Sequence, residues 1–417
     1  MSLDPSVRAI RACRVCDSTE LRSLLDLGEQ ALTGVFPRSA SAPVTTGPLD
    51  MIQCSAPGGC GLVQLRHSYP PTEMYGTNYG YRSSLNQTMV THLGDKVKAL
   101  LARRPLAPGD VVLDIGSNDG TTLSFYPETA TLIGMDPTIA KFAKYYRPHI
   151  NKVADFFNAD AFLKASGGKR AKIVTSIAMF YDLERPIDFM RDIHKILADD
   201  GIWHLEQSYL PSMLATRAYD AICHEHIEYY ALEQIIWLAD RVGFSIVDVT
   251  LTDANAGSFA VTAVRSAPGA QKHAPAVLAM LEAEKTAHLA QLDPFVKFVR
   301  GHKTELHDKL VDLKKAGKRV FGMGASTKGN VILQYCGIGT DLLPCIAEVN
   351  EDKFGCFTPG TRIPIVSEAD ALAQKPDVML VLPWHFRENL MRRYSHWLDQ
   401  GIGMLFPLPA IELVAPR

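Results

Sequence analysis

At 417 residues the chain is longer than one ordinary core supports, and at roughly 100–200 residues per domain it divides into two to four domains. It is 47% hydrophobic and 21% charged, with a formal charge of -2, the composition of a soluble globular protein. That near-neutral balance argues against nucleic acid as the main partner, because neutralising phosphates needs clustered Lys and Arg. Met1-Ser2-Leu3-Asp4-Pro5 has no apolar core of the signal-peptide kind, and no apolar run approaches the roughly 18 residues of a membrane helix. The expected location is the cytoplasm, with no membrane partner.

The first 60 residues hold four of the eight cysteines. Cys13-Arg14-Val15-Cys16 is a CxxC, and Cys54 and Cys60 form a second, wider pair on a turn rich in Gly and Pro. A CxxC turn sets two thiolates about a tetrahedral edge apart, and a second pair closes a four-sulfur site of the structural zinc type, with no open position for chemistry. Zinc also explains how residues 1–70, interrupted by Pro37, Pro43, Pro48 and Pro57, hold a fold with little core of their own. Cys223, Cys336, Cys345 and Cys356 have no ligand spacing and read as buried thiols.

From Val111 an apolar strand runs into Asp114-Ile115-Gly116-Ser117-Asn118-Asp119-Gly120, and a helix-like pattern follows. Glycines in such a turn let the backbone pass close to a ligand at the carboxyl end of the strand. A second apolar run, Thr131–Met135, ends in Asp136-Pro137 about twenty residues on, where an alternating α/β fold sets a carboxylate against ribose hydroxyls. That spacing also suits a nicotinamide cofactor. The first turn lacks the GxGxxG form, however, and resembles motif I of class I methyltransferases.

Lys172–Met179 reads as a buried strand, and Pro186 opens a helix with Ile187, Met190, Ile193 and Leu197 on its apolar face and Gly201 as its stop. Gly201–Glu206 is the expected next strand. Ligands in such sheets sit at the carboxyl ends of the strands, which makes Asp114, Asp136, Asp155, Ala178, Met179 and Glu206 the cofactor neighbourhood. Phe156, beside Asp155, is a candidate to bracket an adenine, although adjacent aromatics such as Phe156 and Phe157 more often pack.

Cys223-His224-Glu225-His226 precedes a helix expected over about Ala231–Arg241, with Gly243 as its stop. Neighbouring His residues in a loop do not converge on one ion as a helical His pair does, so general-base work suits them better than metal binding. A neutral imidazole with an ordinary pKa near 6.5 takes a proton at neutral pH while a carboxylate orients it. Upstream, Tyr75, Tyr79, Tyr81, Arg82 and Ser83 form a polar aromatic segment whose hydroxyls suit substrate binding or an enolate oxygen; inter-domain packing is the alternative.

After a charged helical stretch from about Ala274 to Gly317, Gly322-Met323-Gly324-Ala325-Ser326-Thr327-Lys328-Gly329-Asn330 repeats the strand-turn-helix plan. Backbone amides and Lys328 there suit a pyrophosphate. Strands at Cys345–Asn350 and Val378–His385 complete a second nucleotide-like crevice, with Glu348 at one strand end and Trp384 as a base-stacking or packing group.

These pieces in this order resemble the sugar C-methyltransferases of deoxysugar biosynthesis, which include 3-C-methyltransferases acting on nucleotide-linked 4-keto sugars. The resemblance rests on the CxxC with its second pair, Tyr79-Gly80-Tyr81-Arg82-Ser83-Ser84, the motif I turn, Glu225-His226 and Gly322-x-Gly-Ala-x-x-Lys-Gly-Asn330. It implies an α/β architecture in three parts: a zinc-binding lobe with the Tyr-rich segment at 1–85, an S-adenosylmethionine-binding Rossmann-like domain at 86–270, and a second Rossmann-like domain for the substrate nucleotide at 271–417. It implies His226 as the base that forms an enolate, with Glu225, Tyr79, Tyr81 and His224 around it. The cofactor set is Asp114, Gly116, Asn118, Gly120, Asp136, Pro137, Asp155, Phe156, Ala178 and Met179, and the substrate set Tyr79, Arg82, Lys328, Asn330, Glu348 and Trp384. Two departures stand out: Cys223 where the family has a tyrosine, and the wider second Cys pair. An O- or N-methyltransferase on another small molecule and a non-catalytic binding protein are the alternatives.

Overall fold

A computed structural model describes residues 6–75, 79, 81–252, 257–267, 269, 272–287 and 291–417. In the N-terminal lobe, β1 (Arg8–Ala9) pairs β5 (His67–Ser68), while β2 (Leu21–Ala31), β3 (Thr46–Cys54) and β4 (Val63–Leu65) form an antiparallel meander. Strands β6 (Val111–Ile115), β7 (Thr131–Met135), β8 (Asn151–Val153), β9 (Ala171–Ile177) and β10 (Leu197–Ser208) are parallel members of the central sheet. The chain then leaves that sheet: β11 (Glu228–Tyr229) pairs β4 and becomes the fourth strand of the lobe's sheet. It returns through β12 (Phe244–Thr252) and β13 (Ser258–Arg265), of which β13 runs antiparallel to both neighbours.

The C-terminal sheet contains β14 (Val320–Met323), β15 (Ile346–Glu348), β16 (Ile365–Ser367), β17 (Val378–Val381) and β18 (Gly403–Phe406), all parallel, with β19 (Glu412–Val414) reversed at one edge. Parallel strands need both faces covered, and β6, β14 and β17 are accordingly buried throughout.

The lobe has no core separate from its neighbours. Leu25, Leu32, Phe36, Leu49 and Met51 pack in one apolar cluster with Val331, Leu380 and Phe406 of the C-terminal unit. Its cysteine end packs instead with Phe180, Trp203 and Tyr230 of the central unit. Hydrogen bonds reinforce the first contact. The Gln334 amide accepts from Ala31 N at 2.8 Å and donates to Ala31 O at 3.1 Å, pairing the end of β2 as another strand would.

Two local expectations need correction. The helix opened by Pro186 ends at Ile196, and Leu197 already begins β10 with Gly201 inside the strand. Gly201 is needed there because a Cβ would meet Ala171 O at 2.8 Å, a close approach between strands and not a helix stop. The long C-terminal helical stretch is two helices, Pro275–Ala287 and Leu292–Lys315; residues 288–290 lie outside the described residues. The helix after the His cluster is Leu232–Val242, and Gly243 at φ 94 ends it in the left-handed conformation.

Candidate active site and metal centre

Cys13, Cys16, Cys54 and Cys60 converge. All four Sγ atoms lie within 4.8 Å of one another, with Cys13–Cys60 and Cys16–Cys54 each at 3.5 Å. Zinc–sulfur bonds of about 2.3 Å in a tetrahedron put sulfurs about 3.8 Å apart, so this donor set fits zinc. The hydrogen bond from Cys60 holds the Cys13 thiol down at about 5 against the opposing effect of burial, and pushes Cys60 up. A bound cation would hold all four as thiolates. Gln64 Nε2 donates to Cys13 Sγ at 3.1 Å, and the Arg14 guanidinium donates to Leu65 O and His67 O, so the knuckle is fixed onto β4. Among the described residues no other His, Cys, Asp and Glu group has metal-binding geometry.

The turn after β6 runs through left-handed positions at Gly116, Asn118 and Gly120, with φ of 71, 51 and 79. A Cβ on Gly120 would meet the Tyr146 ring at 2.8 Å, so that position admits only glycine. Asp114 is buried beneath the turn, accepts from Thr175 Oγ1 at 2.5 Å and is pushed by burial up to about 7, which makes it a support of the loop. Asp136, at the end of β7, accepts from Asn118 N at 2.9 Å and from Thr138 N and Oγ1 at 2.6 Å each. A carboxylate has about four lone-pair sites, so it retains capacity for ribose hydroxyls while it shapes the glycine turn. Pro137 follows it, and Ala178 and Met179 form the far wall, with Ala178 at φ 54 and Met179 Cγ 3.1 Å from the place of a Gly116 Cβ. These residues fit S-adenosylmethionine.

Phe156 is 50% exposed and faces Tyr75 edge-on at 6.4 Å, whereas Phe157 packs on Phe189 in the core. Asp155 accepts from Phe156 N at 2.7 Å. Glu206, near the end of β10, accepts from Ala178 N through its main-chain carbonyl at 2.7 Å, while its carboxylate is held by His92 Nε2 at 2.5 Å and Lys96 Nζ at 2.6 Å on the Gln87–Arg103 helix.

Residues 76–78 and 80 of the tyrosine segment lie outside the described residues, but the remainder closes over the glycine turn. Ser83 N and Ser84 N donate to the side chains of Asn118 and Asp119 at 3.0 Å each, and Asn118 Nδ2 donates to Tyr81 O. Tyr79 bridges Val35 of the lobe, and burial pushes its phenol up. Tyr81 is 47% exposed, while the Arg82 guanidinium stacks 4.1 Å from the Tyr145 ring.

The three members of the His cluster have separate surroundings. His224 is fully buried in the lobe: Nδ1 lies 3.4 Å from Thr33 N and Nε2 3.2 Å from Gly47 O, and burial holds the ring down at about 4. A carbonyl only accepts, so Nε2 carries the hydrogen and both nitrogens are spent on the lobe. Glu225 is buried, accepts from Thr33 Oγ1 at 3.3 Å, and is pushed up by burial. His226 donates from Nδ1 to Ala221 O at 3.1 Å with its ring 4.2 Å from Tyr181, which leaves the Nε2 lone pair of the neutral ring available. Burial, then the Lys328 charge, hold His226 down at about 3, so it is neutral at pH 7.

The C-terminal candidates divide. Lys328 acts electrostatically on His226, Asp220 and His385, which brings it to the His226 side of the crevice. Ser326 caps the Thr327–Tyr335 helix by accepting from Gly329 N at 3.0 Å. Asn330 is fully buried and donates to Thr33 O at 2.7 Å. Glu348 accepts from Ala325 N, Val349 N and Asn350 N, repeating on β15 the support that Asp136 gives the turn beside β7. Trp384 is buried and its indole donates to Asp220 Oδ2 at 2.7 Å, so the indole is an internal hydrogen-bond donor and not an open stacking face.

Four residues at the site escaped sequence reasoning: Thr33, Tyr181, Asp182 and Asp220. Tyr181 and Asp182 follow Ala178-Met179-Phe180 past the carboxyl end of β9, a position that was a usable signal. Asp182 accepts from Tyr75 OH at 2.9 Å, and burial pushes it well above the carboxylate range. Thr33, in a loop of the lobe, carried no signal.

Counting β6 as its first strand, the central sheet has the order 3-2-1-4-5-7-6 with only the seventh reversed. That is the class I arrangement, and with its glycine turn and the acid of β7 it makes this chain an S-adenosylmethionine-dependent methyltransferase, with a zinc site at the lobe. Residues 13–75 match the family model described as "Putative zinc binding domain", 85–249 a methyltransferase domain, and 253–409 the C-methyltransferase C-terminal domain. The C-methyltransferase NovU of Streptomyces niveus is 28% identical over 418 aligned positions, covering 98% of each chain. The chain is thus similar to C-methyltransferases in each of its three parts. Among solved structures, the CurJ carbon methyltransferase overlaps 45% of this chain and 57% of its own at 15% identity and a TM-score of 0.34. An S-adenosylmethionine-dependent methyltransferase of Clostridium acetobutylicum overlaps 43% of this chain and 92% of its own at 10% identity and a TM-score of 0.34.

Proposed function

We propose that this C-methyltransferase acts on a nucleotide-linked keto sugar, with His226 removing the proton next to the keto group. The observation that carries this reading is the Nδ1–H bond from His226 to Ala221 O, which leaves the Nε2 lone pair of the neutral ring available to take a proton. Glu225, held by Thr33, is the carboxylate next to His226 in the chain, and the Tyr79 hydroxyl, kept protonated by burial, suits donation to the enolate oxygen. His224 and Asn330 hold the lobe against the other units, a supporting part in place of contact with the reacting atoms. S-adenosylmethionine, held by the Gly116–Gly120 turn and Asp136, supplies an electrophilic methyl for the enolate carbon.

The second α/β unit supports the nucleotide-linked part of the proposal. Lys328 brings a cation toward the crevice, while Glu348 and Ser326 are occupied in shaping the β14 turn, so main-chain amides and Lys328 carry anion recognition. Tyr81, half exposed, and Arg82, stacked on Tyr145, are the proposed substrate contacts of the tyrosine segment. The proposed units are 1–85, 86–270 and 271–417. The same reading places the protein in the cytoplasm, with a small-molecule partner and no nucleic acid.

The test is methyl transfer from S-adenosylmethionine to a panel of nucleotide-linked keto sugars, read by mass spectrometry and located by NMR. A new methyl on the carbon beside the carbonyl is the expected result. No transfer across the panel with cofactor binding intact overturns the substrate class.

A further inference from the structure

The Tyr219–Ala221 turn connects His226 to the C-terminal unit. Ala221 O accepts the His226 Nδ1–H at 3.1 Å, and Asp220, immediately before it, is fully buried. Asp220 Oδ2 accepts the Trp384 indole N–H at 2.7 Å, while Oδ1 is buried with no hydrogen-bond partner. On the other side of Asp220, Tyr219 OH lies 3.0 Å from His302 Nδ1, and His302 Nε2 donates to Pro407 O at 2.7 Å. Both side chains of the turn are therefore held by the C-terminal unit, although the turn itself follows β10 of the central one.

A buried carboxylate is costly unless charge and hydrogen bonds compensate it, and a site keeps one where it does something apolar packing cannot. The Lys328 ammonium, the Trp384 N–H and main-chain N–H groups of its own turn offset the burial of Asp220 in part, and burial still raises its carboxyl. A small rotation of the turn would move Ala221 O off His226 Nδ1 and let the imidazole hydrogen sit on either nitrogen. Only the Nδ1–H form leaves Nε2 as a base.

We propose that Asp220 is a positioning residue: anchored by Trp384 of the C-terminal unit, it fixes the turn whose Ala221 carbonyl selects the base-competent tautomer of His226. This rests on the reading of His226 as the base for its catalytic meaning, but the tautomer itself is a property of the protein without substrate. A Trp384→Phe change removes the indole N–H and keeps a ring in place; Asp220→Asn keeps the shape and removes the charge.

The experiment is nitrogen-15 NMR of the full-length, zinc-loaded protein with labelled histidine, using His226→Asn to assign the signal. Wild type is expected to show His226 as the Nδ1–H tautomer, and Trp384→Phe a mixture of tautomers, with the signals of His224 and His302 unchanged and only His385, whose ring packs on Trp384, also shifted. The same variant should lower kcat about tenfold or more with an unaltered KM for S-adenosylmethionine. Asp220→Asn should keep the tautomer, because its amide oxygen still accepts from Trp384, and should change the pH at which His226 titrates. An unchanged His226 tautomer in Trp384→Phe, together with unchanged titration in Asp220→Asn, overturns the proposal. Loss of sugar methylation in wild type with the tautomer shift intact would instead overturn the substrate reading alone.

Discussion

A Cβ placed on Gly34 would lie 1.9 Å from Oε1 of Glu225, so the main chain of the lobe touches the carboxylate that stands beside the proposed base. Glu225 is buried and held by Thr33, and has little room to swing away. Gly34→Ala should therefore displace it. Since a shift of about 1 Å in a positioned group can cost on the order of 10²-fold in rate, kcat is expected to drop by roughly that factor while S-adenosylmethionine affinity holds. Steady-state kinetics with calorimetric cofactor binding checks this; an unchanged kcat would remove Glu225 from the site.

Zinc should matter to activity without touching the chemistry. The cysteine knuckle is fixed to β4, Leu65 N of β4 donates to Ile227 O at 2.8 Å, and Ile227 follows His226 directly. Chelation or Cys13→Ser should unfold the lobe and abolish methyl transfer, with about one zinc per chain lost by elemental analysis. Full activity in zinc-free protein would break that link.

His224 gives a pH dependence of stability. Its folded value, about 4, lies below the ordinary 6.5, so the unfolded chain binds the extra proton in that window. Stability is then full above about pH 6.5 and falls as pH drops toward 4, by up to roughly 3 kcal/mol from this group. Denaturant midpoints from pH 7 to 4.5 should fall less steeply in His224→Gln than in wild type, by about one proton's worth of slope. Equal slopes would show that His224 is not buried neutral.

Asp136 joins the glycine turn to the end of β7 through Asn118 N and Thr138. Asp136→Ala should weaken S-adenosylmethionine binding by roughly 10–100-fold, the worth of charge-assisted hydrogen bonds of about 1.5–3 kcal/mol. Titration calorimetry reads this directly, and retained affinity would exclude the carboxylate from the cofactor site.

Much of the central unit was legible because its signals are local. The glycine turn after Val111–Ile115, the acid after Thr131–Met135 and the Gly243 stop each depend on a few consecutive residues, as does the CxxC. The wider second pair still converges with the first because the Cys54–Cys60 turn loops back, which spacing alone does not reveal. What stayed hidden is long-range. Nothing near Thr33 signals that it lies between His224, Glu225 and Asn330, and nothing near Trp384 signals Asp220. The three residues His224, Glu225 and His226 look equivalent in sequence, yet the bend of the chain between the Tyr219–Ala221 turn and β11 turns one ring into the lobe and another toward the crevice.

The most direct test of the central claim is proton exchange at the substrate carbon. Wild-type protein with S-adenosylhomocysteine and a nucleotide-linked keto sugar in deuterated water should replace the hydrogen beside the keto group without methyl transfer, and His226→Asn should not. Exchange of equal rate in the variant, or no exchange in a wild-type protein that still methylates the sugar on carbon, would contradict the assignment of His226 as the base.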